Sequence, residues 1–190
     1  MSLQPIATGR QGAGRSRRGP RARRLALVMM VAGLLAPGRL DAVTLMELVT
    51  QANLTPKKFA AYFEDFEYEF APEILPAETF LRQRRGDCDD YAVLADYVFG
   101  RHRQPTRLIH VRMVGRVAHA VCYVTDAKAY LDYNNRKFFI NVARSGGSLR
   151  EIATKVAESL KANWTSVSEF TYTYEEDKKH FGVTVVKTDS

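Results

Sequence analysis

Three side chains in this sequence could act together on a carbonyl carbon: Cys88, His119 and Asp132. A thiol attacks well only as the thiolate, so it needs a neighbouring base to take its proton. The base in turn needs an acceptor to hold its second nitrogen. Cysteine, histidine and aspartate are the residue types that fill these three roles. His119 and Asp132 lie 13 positions apart, with a turn at Asp126 midway. If a hairpin closes there, the two residues sit opposite or nearly opposite on adjacent strands, where paired Cβ atoms are about 5 Å apart.

The elements that must position these groups can be read from periodicity and caps. Asp87 is placed to cap a helix starting at Cys88, with Asp90 at the third helical position completing a reciprocal capping box. Tyr91, Leu94, Ala95 and Val98 then form an apolar stripe that includes Cys88, and the helix should stop near Gly100. Before it, short helices are expected over Val43 to Asn53, from Thr55-Pro56 through the aromatic run Phe59, Tyr62, Phe63 and Phe66, and over Ala77 to Gln83, with Gly86 ending the last. After Pro105 the pattern alternates. Strands are expected over Arg107 to Val114, Val117 to Val124, Ala129 to Tyr133 and Lys137 to Asn141, joined as a meander. Ser148 to Glu151 reads as a second capping box, opening an amphipathic helix that reaches about Trp164. Phe170 to Tyr174 and Phe181 to Lys187 form a C-terminal hairpin. The whole is an α+β domain with the cysteine helix packed on an antiparallel sheet. That packing brings the sulfur toward the sheet face holding His119.

The runs Gly86-Asp87-Cys88-Asp89-Asp90-Tyr91-Ala92-Val93-Leu94, Ala118-His119-Ala120-Val121-Cys122-Tyr123-Val124 and Leu131-Asp132 closely resemble the transglutaminase-like superfamily of papain-like cysteine enzymes. The resemblance covers about residues 77–141. It implies a papain-like core, with Cys88 as nucleophile, His119 as general base and acid, and Asp132 as its orienting partner. It also implies acyl transfer on a protein or peptide substrate, as in the bacterial cysteine peptidases of that superfamily. It does not carry a substrate over.

Competing readings attach to the same residues. A cysteine in an apolar helix stripe is more often an inert small hydrophobe, and the matching His and Asp shift the balance toward catalysis. Cys122 has the opposite strand parity from His119, so it should point to the other face as a core residue. A Cys88–Cys122 disulfide in a structural envelope protein is the rival to a free nucleophile. A third possibility is a non-catalytic binding module that keeps the triad. At the helix start the dipole and a nearby imidazolium favour a thiolate, while Asp87, Asp89 and Asp90 oppose it. These three acids could bind calcium, but capping explains them equally well, and no cofactor is predicted. His102, His110 and His180 show no metal-ligand spacing.

The formal charge of +7 on 190 residues suggests a nucleic-acid or anionic partner. Its position removes that suggestion. Seven arginines between Arg10 and Arg24 precede an uninterrupted apolar run of about twelve residues, Leu25 to Ala36, too short to span a bilayer as a helix and typical of a signal peptide. Cleavage is expected near Ala36 or Ala42. Residues 43–190 then hold 20 basic and 20 acidic residues, and form a neutral exported domain with no nucleic-acid partner and no remaining membrane span. Two cysteines are too few for a disulfide scaffold.

Overall fold

The computed structural model describes residues 43–138 and 144–188. Helices α1 (Leu45–Thr50), α2 (Pro56–Ala61) and α3 (Ala77–Gln83) lead to the central helix α4 (Cys88–Arg101). Between them, β1 (Glu67–Tyr68) and β2 (Arg85–Gly86) form a small parallel pair, with Tyr68 opposite Gly86. The main sheet follows: β3 (Thr106–Met113), β4 (His119–Val124) and β5 (Ala129–Leu131), then a 3₁₀ turn over Tyr133–Phe138, helix α5 (Leu149–Ser159), and the hairpin β6 (Trp164–Thr173) and β7 (Lys178–Val186). Its spatial order is β5-β4-β3-β6-β7, with every neighbour antiparallel. The fold class is α+β, as the sequence predicts.

Strand alternation sorts the sheet's side chains into two cores. Leu108, Ala120, Cys122, Val124, Leu131 and Phe170 join α4 and the aromatic α2–α3 segment. Ile109, Val111, Val121, Tyr123, Tyr130 and Val167 join α5. Phe59, Phe63, Phe80 and Tyr91 are fully buried in the first cluster, and the Phe63 ring lies 5.0 Å from Tyr91 edge-on and 5.8 Å from Phe80 stacked. Such pairs add to the burial of their area. They pack the α2–α3 segment against α4.

Several boundaries differ from the sequence expectation. The α3 helix ends at Arg84 in the left-handed conformation, φ 56°, while Gly86 sits in β2. Helix α2 stops at Ala61, and the aromatic run continues as turns. Helix α5 ends at Ser159, because Trp164 is drawn into the first position of β6, where its partner is Met113 on β3. The β3–β4 ladder closes at Val111 and His119, so Val114 and Val117 lie in an exposed connecting loop. Lys137 and Phe138 close the 3₁₀ turn and do not begin a fourth meander strand; the remainder of that expected strand lies outside the described residues, as does the Arg-rich leader. Among the described residues no helix is long and apolar enough to cross a membrane.

Candidate active site

Helix α4 starts where the sequence places it. The Asp87 carboxylate accepts the backbone N–H groups of Asp89 and Asp90, and Asp90 Oδ2 accepts that of Asp87 at 2.8 Å, so the capping box is complete. Both carboxylates also reach outward. Asp87 Oδ2 accepts from Ala71 N at 3.3 Å and Asp90 Oδ1 from Leu75 N at 2.7 Å, which ties the segment before α3 to the start of α4. Gly86 is needed here for space: a Cβ on it would lie 2.4 Å from Asp90 Oδ2 and 2.7 Å from the Phe80 ring. The Gly-Asp-Cys order therefore follows from a buried box pressed against the chain that enters it. Cys88 takes the first helical position, and its backbone N–H is not used by the cap.

The Cys88 side chain reaches the beginning of β4. Strand β5 pairs only with residues 122 to 124 of β4, so the Ala120 N–H lies beyond the end of that ladder and donates to Cys88 Sγ at 3.5 Å. His119 is the residue before it. Its Nε2 lies 2.8 Å from Asp132 Oδ1, in a buried pair. That contact leaves Nδ1 as the ring nitrogen for other partners. Burial disfavours the imidazolium, but the charge and hydrogen bond of Asp132, helped by the hydrogen bond and charge of Cys88, outweigh it and hold His119 well above the ordinary histidine range. Asp132 follows the same logic in reverse. Burial pushes its carboxyl up, and the His119 charge and hydrogen bond, with those of Asn135 and the Asn134 N–H, bring it below the usual value.

The structure thus gathers Cys88, His119 and Asp132 at one end of the sheet. The route differs from the expected one. His119 shares strand parity with Val121 and Tyr123, which belong to the α5 core, whereas α4 packs on the Ala120 and Cys122 side. Thiol and imidazole meet because both are first residues of their elements, at the sheet's end, and not across its face. Cys122 points to the face opposite His119 as a core residue, as parity predicts, but α4 packs on that same face, so Cys122 and Cys88 share one apolar cluster. Both cysteines are free thiols, and burial pushes the Cys122 thiol far up, as suits a core residue.

Residues the sequence does not flag complete the arrangement. Asn135, read as part of a turn, donates Nδ2 to Asp132 Oδ2 at 2.8 Å and to Ser159 Oγ at 3.1 Å, joining the acid to the end of α5. Arg136 donates to the carbonyls of Phe63 and Tyr133, each at 2.5 Å, and to that of Phe66; its guanidinium lies 4.1 Å from the Tyr133 ring centre. Tyr68, held beside Gly86 by the β1–β2 pairing, carries a half-exposed ring. Its hydroxyl is raised by burial and then by the nearby charges of Cys88, Asp87 and Asp89. The only local signal for Tyr68 is an aromatic just outside the aromatic helix run, which does not distinguish it from core.

The acidic group does not fit a calcium ion as it stands. Asp87, Cys88 and Asp89 offer ligand atoms within 4.8 Å of one another, but both Asp87 oxygens and both Asp90 oxygens accept backbone N–H groups, and Asp89 Oδ2 pairs with Lys179 Nζ at 2.7 Å. Only Asp89 Oδ1 is buried without a partner in this group. Calcium takes about six to eight oxygens and has little use for a thiol.

No family model and no curated protein matches the chain. Among solved structures it is similar to calcium-bound LapG of Legionella pneumophila, with 16% sequence identity and a TM-score of 0.41 over 59% of this chain and 62% of that one. The match therefore spans less than two thirds of LapG.

Proposed function

We propose that this chain is an exported thiol hydrolase that cleaves a peptide or carboxamide bond through an acyl-enzyme. The observation that carries the reading is the buried His119–Asp132 contact at 2.8 Å, at the strand end where the Ala120 N–H meets Cys88 Sγ. In this reading Cys88 Sγ attacks the carbonyl carbon while His119 takes the thiol proton. The negative oxygen of the tetrahedral intermediate faces the uncommitted N–H of Cys88, a donor that the helix start leaves free. His119 then gives the proton to the departing nitrogen, the C–N bond breaks and a thioester remains. Water, deprotonated by His119, attacks the thioester, and the acid product leaves as the thiol is restored. Water is the default acceptor, and no amine-binding site argues for transfer. Asp132 holds the imidazole by Nε2 throughout, itself held by Asn135. The Arg-rich leader and its apolar run support export.

One observation favours a second reading. Cys88 is only 5% exposed, as suits a binding module that keeps the residues without the reaction. Alkylation by iodoacetamide at pH 7, followed by intact mass, separates the two. The hydrolase reading expects Cys88 to react at least about 100-fold faster than Cys122, and His119→Ala to slow it by about 100-fold, within the range for loss of a general base. Equal rates at the two cysteines, unchanged in His119→Ala, would sink the nucleophile assignment.

A further inference from the structure

Next to His119 lies a cleft of ≈ 250 Å³ that does not include Cys88. Its apolar walls are Met113, Val117 and Leu160; its polar groups are Tyr68, Arg116 and Asn134. Arg116 sits at the tip of the β3–β4 loop, after Gly115, whose φ of 65° turns the chain. Arg116 makes no ion pair or hydrogen bond among the described residues, and no carboxylate lines the cleft among them. A groove elsewhere shows that this is not the general surface: between α3 and the β6–β7 turn, the walls carry Glu73, Glu78, Glu175 and Asp177. Among the described residues, the charge without a partner in the cleft beside His119 is the positive one of Arg116.

We infer that this cleft binds a carboxylate of the substrate on the leaving-group side of the cut, held by the Arg116 guanidinium with Tyr68 and Asn134 as neutral hydrogen-bonding groups. The inference rests on the hydrolase reading for its sense of direction. His119 delivers the proton to the departing amine, so a cleft that His119 lines and Cys88 does not is assigned to the chain that departs. An arginine fork matches a carboxylate with two parallel hydrogen bonds, and the volume suits one acidic side chain or one chain terminus. Met113, Val117 and Leu160 accept the methylenes that carry it. The same carboxylate chemistry can come from an Asp or Glu side chain or from a free C-terminus.

The test is cleavage-site profiling of a proteome-derived peptide mixture by mass spectrometry, with the full chain and its Arg116→Gln and Arg116→Glu variants. The wild type is expected to enrich Asp and Glu over Asn and Gln at least tenfold within two residues after the cut. Arg116→Gln should reduce that ratio to about twofold, and Arg116→Glu should turn it toward Lys and Arg. A second mixture with amidated C-termini separates the two sources: an Asp and Glu preference that survives amidation belongs to side chains, and a clustering of cuts within two residues of the peptide's end that amidation abolishes belongs to the chain end. Cuts with neither an acidic preference nor a clustering near a free C-terminus, or with either one indifferent to Arg116, overturn the inference. An absence of cuts counts against the hydrolase reading instead. The cleft is then judged by which peptides the Cys88→Ala protein retains on ultrafiltration: acidic peptides retained and lost with Arg116→Gln uphold it, and equal retention overturns it.

Discussion

Helices α4 and α5 both begin with a serine-or-aspartate cap followed three residues later by an acid, yet the two starts do different work. At α5, Ser148 accepts the Glu151 N–H, but the Glu151 carboxylate bypasses Ser148 and takes the Gly146 N–H at 2.7 Å, at the exposed surface. At α4 the box is reciprocal and buried, with Asp87 at 2% and Asp90 at 1% exposure. The electrostatics diverge accordingly. Burial raises the Asp90 carboxyl to about 6 against the ordinary 3.8, despite the N–H groups it accepts, whereas the Gly146 N–H lowers Glu151. The same local motif ends a loop at one site and, at the other, anchors the segment before α3 at the position from which the thiol projects.

The comparison breaks most visibly at the acids themselves. Asp90→Ala strands the N–H groups of Asp87 and Leu75 in the interior and should cost about 3 kcal/mol or more in urea unfolding. Glu151→Ala, at the surface, should shift the midpoint far less. Equal losses would show that burial adds nothing to the box.

The paired glycines sharpen the same point. A Cβ would meet a carboxylate oxygen at 2.4 Å at both Gly86 and Gly146. The Glu151 side chain can swing into water, while Asp90 and Phe80 cannot yield. Gly86→Ala should therefore lower stability by about 2 to 3 kcal/mol, and Gly146→Ala by no more than about 0.5 kcal/mol, both read as midpoint shifts.

Titration should separate the two acids by sign. Asp90 has a folded value above its unfolded one, so the folded state holds its proton more tightly and stability falls as pH rises from about 4 to about 6. The total is on the order of 3 kcal/mol for a shift from 3.8 to about 6. Asp90→Asn should remove that slope. Glu151 is lowered, so its contribution is present above its unfolded value of 4.5 and fades as pH falls through the folded one. The His119–Asp132 pair frames the window. Asp132's share is lost below 3.8 as its folded value is passed, and His119's share is complete below 6.5 and lost as pH rises through its raised value. Thermal melts from pH 3 to pH 9 on the wild type, Asp90→Asn, Glu151→Gln and His119→Gln resolve the three contributions. A flat wild-type profile between pH 4 and pH 6 would remove the assignment to Asp90.

The smallest difference is at the caps. Ser148→Ala should cost about 0.5 to 1 kcal/mol, and Asp87→Ala about 2 kcal/mol, the upper end for a cap, since Asp87 also holds Ala71. Comparable costs would mean that the Ala71 contact contributes nothing.

What the sequence makes legible here is local. The α4 box, the α2 start at Thr55-Pro56, the β3–β4 and β6–β7 hairpins and the His119–Asp132 pairing follow from caps, turns and alternation within about fifteen positions. The hidden parts depend on distant pairing. That β6 adds to β3 is set by contacts such as Leu108 opposite Phe170, which no short window contains. The β1–β2 pair has two residues in each strand, too few for a period, so Tyr68 beside Gly86 is invisible beforehand. Parity correctly separates His119 from Cys122 but misplaces Cys88, because a helix end can reach past a sheet's edge where alternation no longer decides. Asn135 reads as a turn residue because it is one; its second task, holding Asp132, appears only in three dimensions.

Arg136 carries a consequence in time. It grips the carbonyls of Phe63 and Phe66, 73 and 70 positions earlier in the chain, immediately after the segment that carries Asp132. Contacts of such long sequence separation form late, since the loop between them must be closed first. A chain not yet folded thus presents Cys88 as an ordinary thiol without its imidazole. In the proposed reading reactivity therefore arrives only with the finished fold, and a chain exported unfolded would stay inert toward the cell that makes it.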